Sequence, residues 1–570
     1  MARYRLPTCF FSCLAEGDWS GFHGPIGYDL GYIVFEHMND TDLTFSDFLS
    51  NIDQLGRGEW VIAYESRGVG VEGPVFYSAL IREDQVTRSL EQPSWDLRIG
   101  SGLPGFSFRW DNGQETAEYR RPSDDGVEPL VLWRSFNGIR EGYWEISEEF
   151  RLYFNLWEDR THRRLILIDD NGDEEDAVVF SEQDIKIKLR LIREFLAAKK
   201  MRLALFFDFN RFSERSLPEL GLAEYHEIRR GNDFVLSIGA KPWISILGKN
   251  HRSHGFLIGK KLIPAATDFK PSIDRREERQ YVDFIIGVDD YGNPVSHTCN
   301  EERLANYFGK NPGAPQYVTP VFFRRDVLTK YYSQPAKYSV EDGHLLCGAL
   351  WSLRIDNNHS KYVIAFLGDL GHLSYVEQLH WRSFNVSSGQ MSRTGFERAF
   401  EGQFTEPEDP ALFFKQKLAS FQEKWKRKFG WELFRPLSEG DEHYFKTLRV
   451  PLTSEQREFD EQVLALTKVL IDSLNEEQLE REQSAKRDNS KGIEKLEGFL
   501  TERNLVFPEM IEFLRKLQSL RSTSAAHRKG RNYEKIKTFF SIGTQDLPLV
   551  FGDILQRCIW TLNTLEKRVL

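Results

Sequence analysis

The chain is 570 residues long, 40% hydrophobic and 13% aromatic, with a formal net charge of −11. That length suits about three or four domains, and the composition suits packed cores and argues against a disordered chain. No run of about 18 apolar residues predicts a membrane span. Arg3 and Arg5 are not followed by the apolar run of a signal peptide, and an acidic chain is a poor non-specific ligand for nucleic acid.

The five cysteines (Cys9, Cys13, Cys299, Cys347, Cys558) are few, odd in number and scattered, which predicts a reducing, cytoplasmic setting. The fold class expected is α+β and multidomain. A β-rich mixed body precedes an all-α C-terminal four-helix bundle. The boundaries expected are 1–270 for a β-rich sensor or binding region, 271–450 for an α/β middle region and 451–570 for the helical domain.

Up to about residue 175, short apolar-aromatic runs such as 60–64 and 150–157 alternate with Gly, Asp and Pro, the pattern of short strands. The runs 165–168 and 177–180 flank Asp169-Asp170-Asn171-Gly172-Asp173, and the Asn-Gly pair predicts a hairpin closed by a type I′ turn. EF-hand spacing is absent there, so the aspartates read as a solvated turn rather than a calcium loop. Ser181 is expected to open a helix, with Ile185, Leu189, Ile192 and Leu196 on one face. Residues 203–207 then read as a buried strand.

A second hairpin is expected from 282–288 and 295 onward, turning at Asp290-Tyr291-Gly292-Asn293. Trp-Arg-Ser-Phe-Asn occurs at both 133–137 and 381–385, but the turns are offset by about 120 residues and the pentapeptides by about 248, so tandem duplication is rejected. Strands are expected at 345–353 and 362–367, a loop between 385 and 408, and an amphipathic helix at 411–429 through Phe413, Leu418, Phe421 and Trp425.

The chain changes character at Pro451. Thr453 is expected to cap a helix through Phe459, Val463, Leu466, Leu470 and Leu474. A polar break at 488–490 precedes a short helix through Ile493, Leu496 and Leu500. Pro508 opens a third, whose face of Met510, Phe513, Leu514, Leu517 and Leu520 leads to Arg521. Val550, Ile554, Cys558, Ile559, Leu562 and Leu565 line the last helix, 547–568.

Within this neutral segment (19 Lys/Arg against 19 Asp/Glu) the stretch 515–537 carries eight cations and one acid, Glu534. It forms an electrostatic footprint for phosphate with a histidine, His527, at its centre. Imidazole can take a proton from a ribose 2′-OH and return one to a leaving group. A guanidinium matches two phosphate oxygens and stabilises charge on the phosphorane. Arg521 and His527 could therefore cleave RNA without a metal and leave DNA intact.

Arg521 and His527, separated by five residues late in a set of long helices, resemble the HEPN superfamily of bacterial toxins, defence ribonucleases and nucleotide-binding proteins. The resemblance covers about 451–570 and departs at Ser522, where the family often carries Asn, Asp or His. It implies a metal-independent endoribonuclease, without cofactor, in anti-phage or toxin systems of the abortive-infection type. It implies a homodimer through the helical domain, an RNA substrate, and a phage-derived or nucleotide trigger read by the N-terminal region. Asp472, Ser473 and Asn475 are the supporting candidates on the first long helix. Arg528, Lys529, Arg531 and Lys535 are the candidate phosphate contacts.

On an unbroken helix six residues turn about 240°, placing Arg521 and His527 on different faces. Either the Ser-Thr-Ser run distorts the helix, or the pair works across a two-fold interface, the arrangement expected here. The competing reading is a non-catalytic nucleotide- or ligand-binding protein whose helical domain mediates dimerisation. His297, Cys299, His344 and Cys347 have zinc-compatible side chains, but their irregular spacing favours buried cysteines in a sheet. His251 and His254 fall in a basic loop, and no P-loop, Rossmann or hydrolase-elbow motif is present.

Overall fold

A computed structural model describes residues 42–66, 73–97, 104–111, 113–244, 250–269, 279–484, 490–524 and 531–570. These residues fall into two compact units, one within Met1–Asp169 and Asp173–Arg276, the other within Asp170–Gly172 and Glu277–Leu570. The N-terminal part is β-rich and the C-terminal part helical, an α+β chain. No helix among the described residues is long and apolar enough to cross a membrane.

The first unit is built on an 11-stranded antiparallel sheet. Its longest strand, Met201–Ser213, pairs on one side with Ser253–Ile263 and on the other with Gly73–Arg82. The alternation of that strand turns Leu203, Leu205, Phe207 and Phe209 into one core with Ile192, Phe195 and Leu196 of helix Leu189–Lys199. Phe48 caps the same core, its ring 4.9 Å from that of Phe207 and 4.7 Å from that of Phe209.

The helix expected from Ser181 begins later. Asp184–Lys188 is a strand with alternating burial, paired antiparallel with strand Trp60–Ser66 through a register shift between Ile62 and Tyr64, and the helix runs Leu189–Lys199. Ile185 and Ile187 fit a period of two as well as Ile185 and Leu189 fit a helical turn, and pairing with Trp60–Ser66 on one side and Glu174–Phe180 on the other decides between them.

The first expected hairpin forms between Arg164–Ile168 and Glu174–Phe180, but its turn is not type I′. Only Gly172 takes a positive φ, and the Asp169 carboxylate accepts from the Asp173 amide at 2.8 Å. The hairpin Asp283–Val288/Pro294–Thr298 closes in the same way, with Gly292 at φ 83° and the Asp289 carboxylate accepting from Tyr291 and Asn293 amides. The likeness of the two turns is therefore shared aspartate turn chemistry. The repeated pentapeptide lies largely in strand Val131–Phe136 in one place and in helix Tyr375–Ser383 in the other.

The second unit combines a six-stranded sheet with helices. Helix Pro410–Phe429, placed by the sequence in the middle region, shares a core with the C-terminal helices. Phe414, Phe421 and Trp425 pack in the cluster that also holds Phe459, Leu517 and Ile554, and Phe414 rather than Phe413 is buried. Asp409 caps this helix through the Ala411 and Leu412 amides. Thr453 does not cap the next one. Helix Gln456–Thr467 has Glu455 at its N-cap, and the Thr453 hydroxyl instead donates to Glu458 at 2.8 Å. Two further helices, Glu476–Arg481 and Arg531–Phe539, join Gly492–Thr501, Pro508–Ser524 and Leu547–Val569.

Candidate functional site

Arg521 lies in the last turn of helix Pro508–Ser524. Pro508 at the first position fixes a helical φ, and Met510, Phe513, Leu514, Leu517 and Leu520 are all buried, so the helix is pinned along one face. Leu520 in the core leaves Arg521 half-buried at its margin.

The partner of Arg521 comes from 49 residues earlier. Helix Gln456–Thr467 continues into a five-residue π segment, Lys468–Asp472. The wider turn buries Val469, Leu470 and Ile471 in succession, which one face of a regular helix does not accommodate. The Thr467 hydroxyl donates to the Val463 and Leu464 carbonyls at 3.0 and 2.9 Å, satisfying backbone groups where the pitch changes. Each residue added to a helix rotates the next position by about 100°, so this segment sets where Asp472 points. Its carboxylate accepts from the Arg521 guanidinium at 2.5 Å, each side chain about one-third exposed (31% and 33%).

The other two supporting candidates are engaged with backbone. The Ser473 hydroxyl donates to the Val469 carbonyl. Asn475 caps helix Glu476–Arg481 through the Gln478 amide at 3.3 Å and donates to the Glu432 carbonyl at 3.1 Å. Asp472 alone of the three is placed against Arg521.

His527, Arg528 and Lys529 lie outside the described residues, as do Cys9, Cys13, Asp488 and Asn489. Arg531 opens helix Arg531–Phe539, which is anchored by buried Ile536 and followed by buried Phe540, whose ring is 6.3 Å from Phe513. Glu534 and Lys535 sit exposed on that helix. The net charge of the cluster is smaller than the sequence count suggests, because Arg515 is paired with Glu497 at 2.7 Å; Lys516 lies over the Phe539 ring at 5.7 Å. The Glu497 partner has no signal in the local sequence because it lies on another helix, Gly492–Thr501.

The remaining titratable candidates have structural surroundings. Cys299 is buried, donates to Gln378 at 3.2 Å, and burial pushes its thiol up to about 11. His254 is buried against Phe212, with Nε2 2.9 Å from Asn210 Oδ1, and burial pushes it down to about 4. Burial thus favours its neutral form. Among the described residues no group of three or more His, Cys, Asp or Glu is arranged to hold a metal ion.

Searches of protein-family models, curated proteins and solved structures find no match to this chain.

Proposed function

We propose that the chain is a metal-independent endoribonuclease of the abortive-infection type, cytoplasmic and dimeric through its helical part. The N-terminal region senses a trigger or restrains the nuclease. The observation that carries this reading is the Arg521–Asp472 pair at the end of helix Pro508–Ser524, six residues before His527. A carboxylate that holds a guanidinium in one orientation preorganises it for a phosphate oxyanion. Helices Gln456–Thr467, Gly492–Thr501, Pro508–Ser524 and Leu547–Val569 act in this reading as the four-helix bundle of a HEPN-like domain.

In the proposed reaction His527 takes the proton of a ribose 2′-OH. The 2′-oxygen attacks the adjacent phosphorus, and the bond to the 5′-oxygen breaks as that oxygen receives a proton from the imidazolium. Arg521 stabilises the charge on the phosphorane. The products are a 2′,3′-cyclic phosphate and a 5′-hydroxyl, and no metal or cofactor enters. Lys535 and Arg531, on the following helix, with Arg528 and Lys529, supply phosphate contacts.

The test is an oligonucleotide cleaved by the protein, compared with the same oligonucleotide carrying a single 2′-deoxy sugar at the cleaved position. The reading expects loss of cleavage at that position only. Cleavage that persists at the 2′-deoxy position would reject it.

A further inference from the structure

The first unit carries an exposed aromatic face. Strands Gly105–Asp111 and Gln114–Arg120 form an antiparallel hairpin that pairs with no other strand among the described residues. Successive side chains of a strand point to opposite faces. The register therefore gathers Phe106, Phe108 and Trp110 of one strand with Tyr119, Ala117 and Glu115 of the other on one face. Phe106, Phe108, Trp110 and Tyr119 are 66%, 62%, 70% and 51% exposed, and the Phe106 and Tyr119 rings meet edge to face at 5.7 Å. Ser107, Arg109, Thr116, Glu118 and Arg120 fall on the opposite, polar face.

A two-stranded hairpin by itself is marginal in water and gains stability when its apolar face is packed. Four neighbouring exposed rings form the kind of patch that a partner covers. Charge narrows the choice of partner. Glu115 is the one charged residue on the aromatic face, whereas RNA and an anionic lipid surface both draw on cations where they dock. Arg109 and Arg120 lie on the polar face, and Arg120 is paired there with Glu118 at 3.2 Å.

A second copy of the same face meets these conditions. A two-fold axis presents one patch to itself, so an apolar face with a single charge at one end is self-complementary. Antiparallel packing lays the Trp110 end of one hairpin over the Phe106–Tyr119 end of the other and keeps the two Glu115 carboxylates at opposite ends. An aromatic side chain buries about 150–250 Å² when covered, so four rings 51–70% exposed offer roughly 500 Å² per copy. Two copies bury roughly 1,000 Å², the lower bound for a specific interface, which predicts a dissociation constant on the order of micromolar.

We infer that two copies of the chain associate through this face, their hairpins packed aromatic side to aromatic side about a two-fold axis. Trp110 and Phe108, at the centre and tip of the patch, are the anchoring side chains. This contact is separate from the helical dimer of the proposed function and does not depend on RNA cleavage.

The experiment is sedimentation equilibrium of the full chain from about 1 to 100 µM, bracketing a micromolar association. Wild type is compared with the double variant Phe108→Thr/Trp110→Thr and with Arg109→Gln on the polar face of the same strand. Threonine removes the rings and keeps strand propensity. The double variant is expected to weaken association at least about 30-fold, halving the mass of the wild-type assembly. Arg109→Gln is expected to associate as wild type does, with all three proteins melting together. Equal masses for wild type and the double variant across the range would overturn the inference, whether both are monomers or both associate through helices. Equal weakening by Arg109→Gln would overturn it too. So would a monomeric wild type that floats with phosphatidylcholine vesicles or binds poly(U) when the double variant does not, since the face would then serve lipid or RNA.

Discussion

Asp472→Asn separates the chemical role of the Arg521–Asp472 pair from its structural one. The two side chains are 31% and 33% exposed and meet at 2.5 Å, so solvent screens them and the pair contributes only about 0–1 kcal/mol to stability. For a unit of this size that amounts to a shift of at most about 4 °C in Tm. Asparagine keeps the size and one acceptor but removes the charge that fixes the guanidinium. A misplacement of about 1 Å at a reacting centre costs up to about 100-fold in rate. The expected result is therefore a near-normal melting curve with RNA cleavage reduced by about 10- to 100-fold, and a larger loss in Arg521→Ala. The assay is initial-rate cleavage of a fluorogenic RNA alongside thermal melting of the same preparations. Full cleavage by Asp472→Asn beside an inactive Arg521→Ala would refute the positioning role, as would cooperative unfolding of Asp472→Asn far below wild type.

Trp425 is fully buried (0% exposed) in the helical core, so Trp425→Ala is expected to cost about 3–5 kcal/mol in urea denaturation. A loss below about 1 kcal/mol would mean that helix Pro410–Phe429 does not belong to that core. Gly292 has φ 83° with open space around it, so Gly292→Ala is expected to cost about 1 kcal/mol from backbone conformation alone, and Gly292→Asn less. Both are read from chemical denaturation midpoints. Burial first, and Lys241 second, depress the His254 pKa from 6.5 to about 4. The unfolded chain then binds the proton more readily, so this contribution is complete above about pH 6.5 and is lost as pH falls toward 4. His254→Phe is expected to flatten the pH dependence of first-unit stability in that window, and an unchanged slope would place the titration elsewhere.

What was legible in the sequence was local. The hairpin Arg164–Ile168/Glu174–Phe180 declares itself by two apolar runs around a turn, and the helices from Gln456 onward by apolar stripes that are buried residue by residue. What was not legible depends on partners far along the chain. Ile187 pairs with Val61, 126 residues away, and that pairing rather than local propensity makes Asp184–Lys188 a strand. The order of the 11-stranded sheet is likewise a set of long-range pairings with no local signature. At the candidate site the sequence offered Asp472 and Arg521 as separate candidates. Their juxtaposition rests on the π segment Lys468–Asp472, whose trace in the sequence is the apolar triplet Val469-Leu470-Ile471 at the end of a helical stripe. Arg515 shows the converse, since a count of cations along one stretch does not register that Glu497 neutralises one of them.

The measurement that tests the proposed ribonuclease most directly is cleavage of mixed cellular RNA in excess EDTA by wild type, His527→Ala and Arg521→Ala, with the ends of the products determined. Cleavage by wild type alone is predicted, leaving 2′,3′-cyclic phosphate and 5′-hydroxyl ends, with all three proteins equally folded. Cleavage by all three proteins, or cleavage that EDTA abolishes, would contradict the assignment.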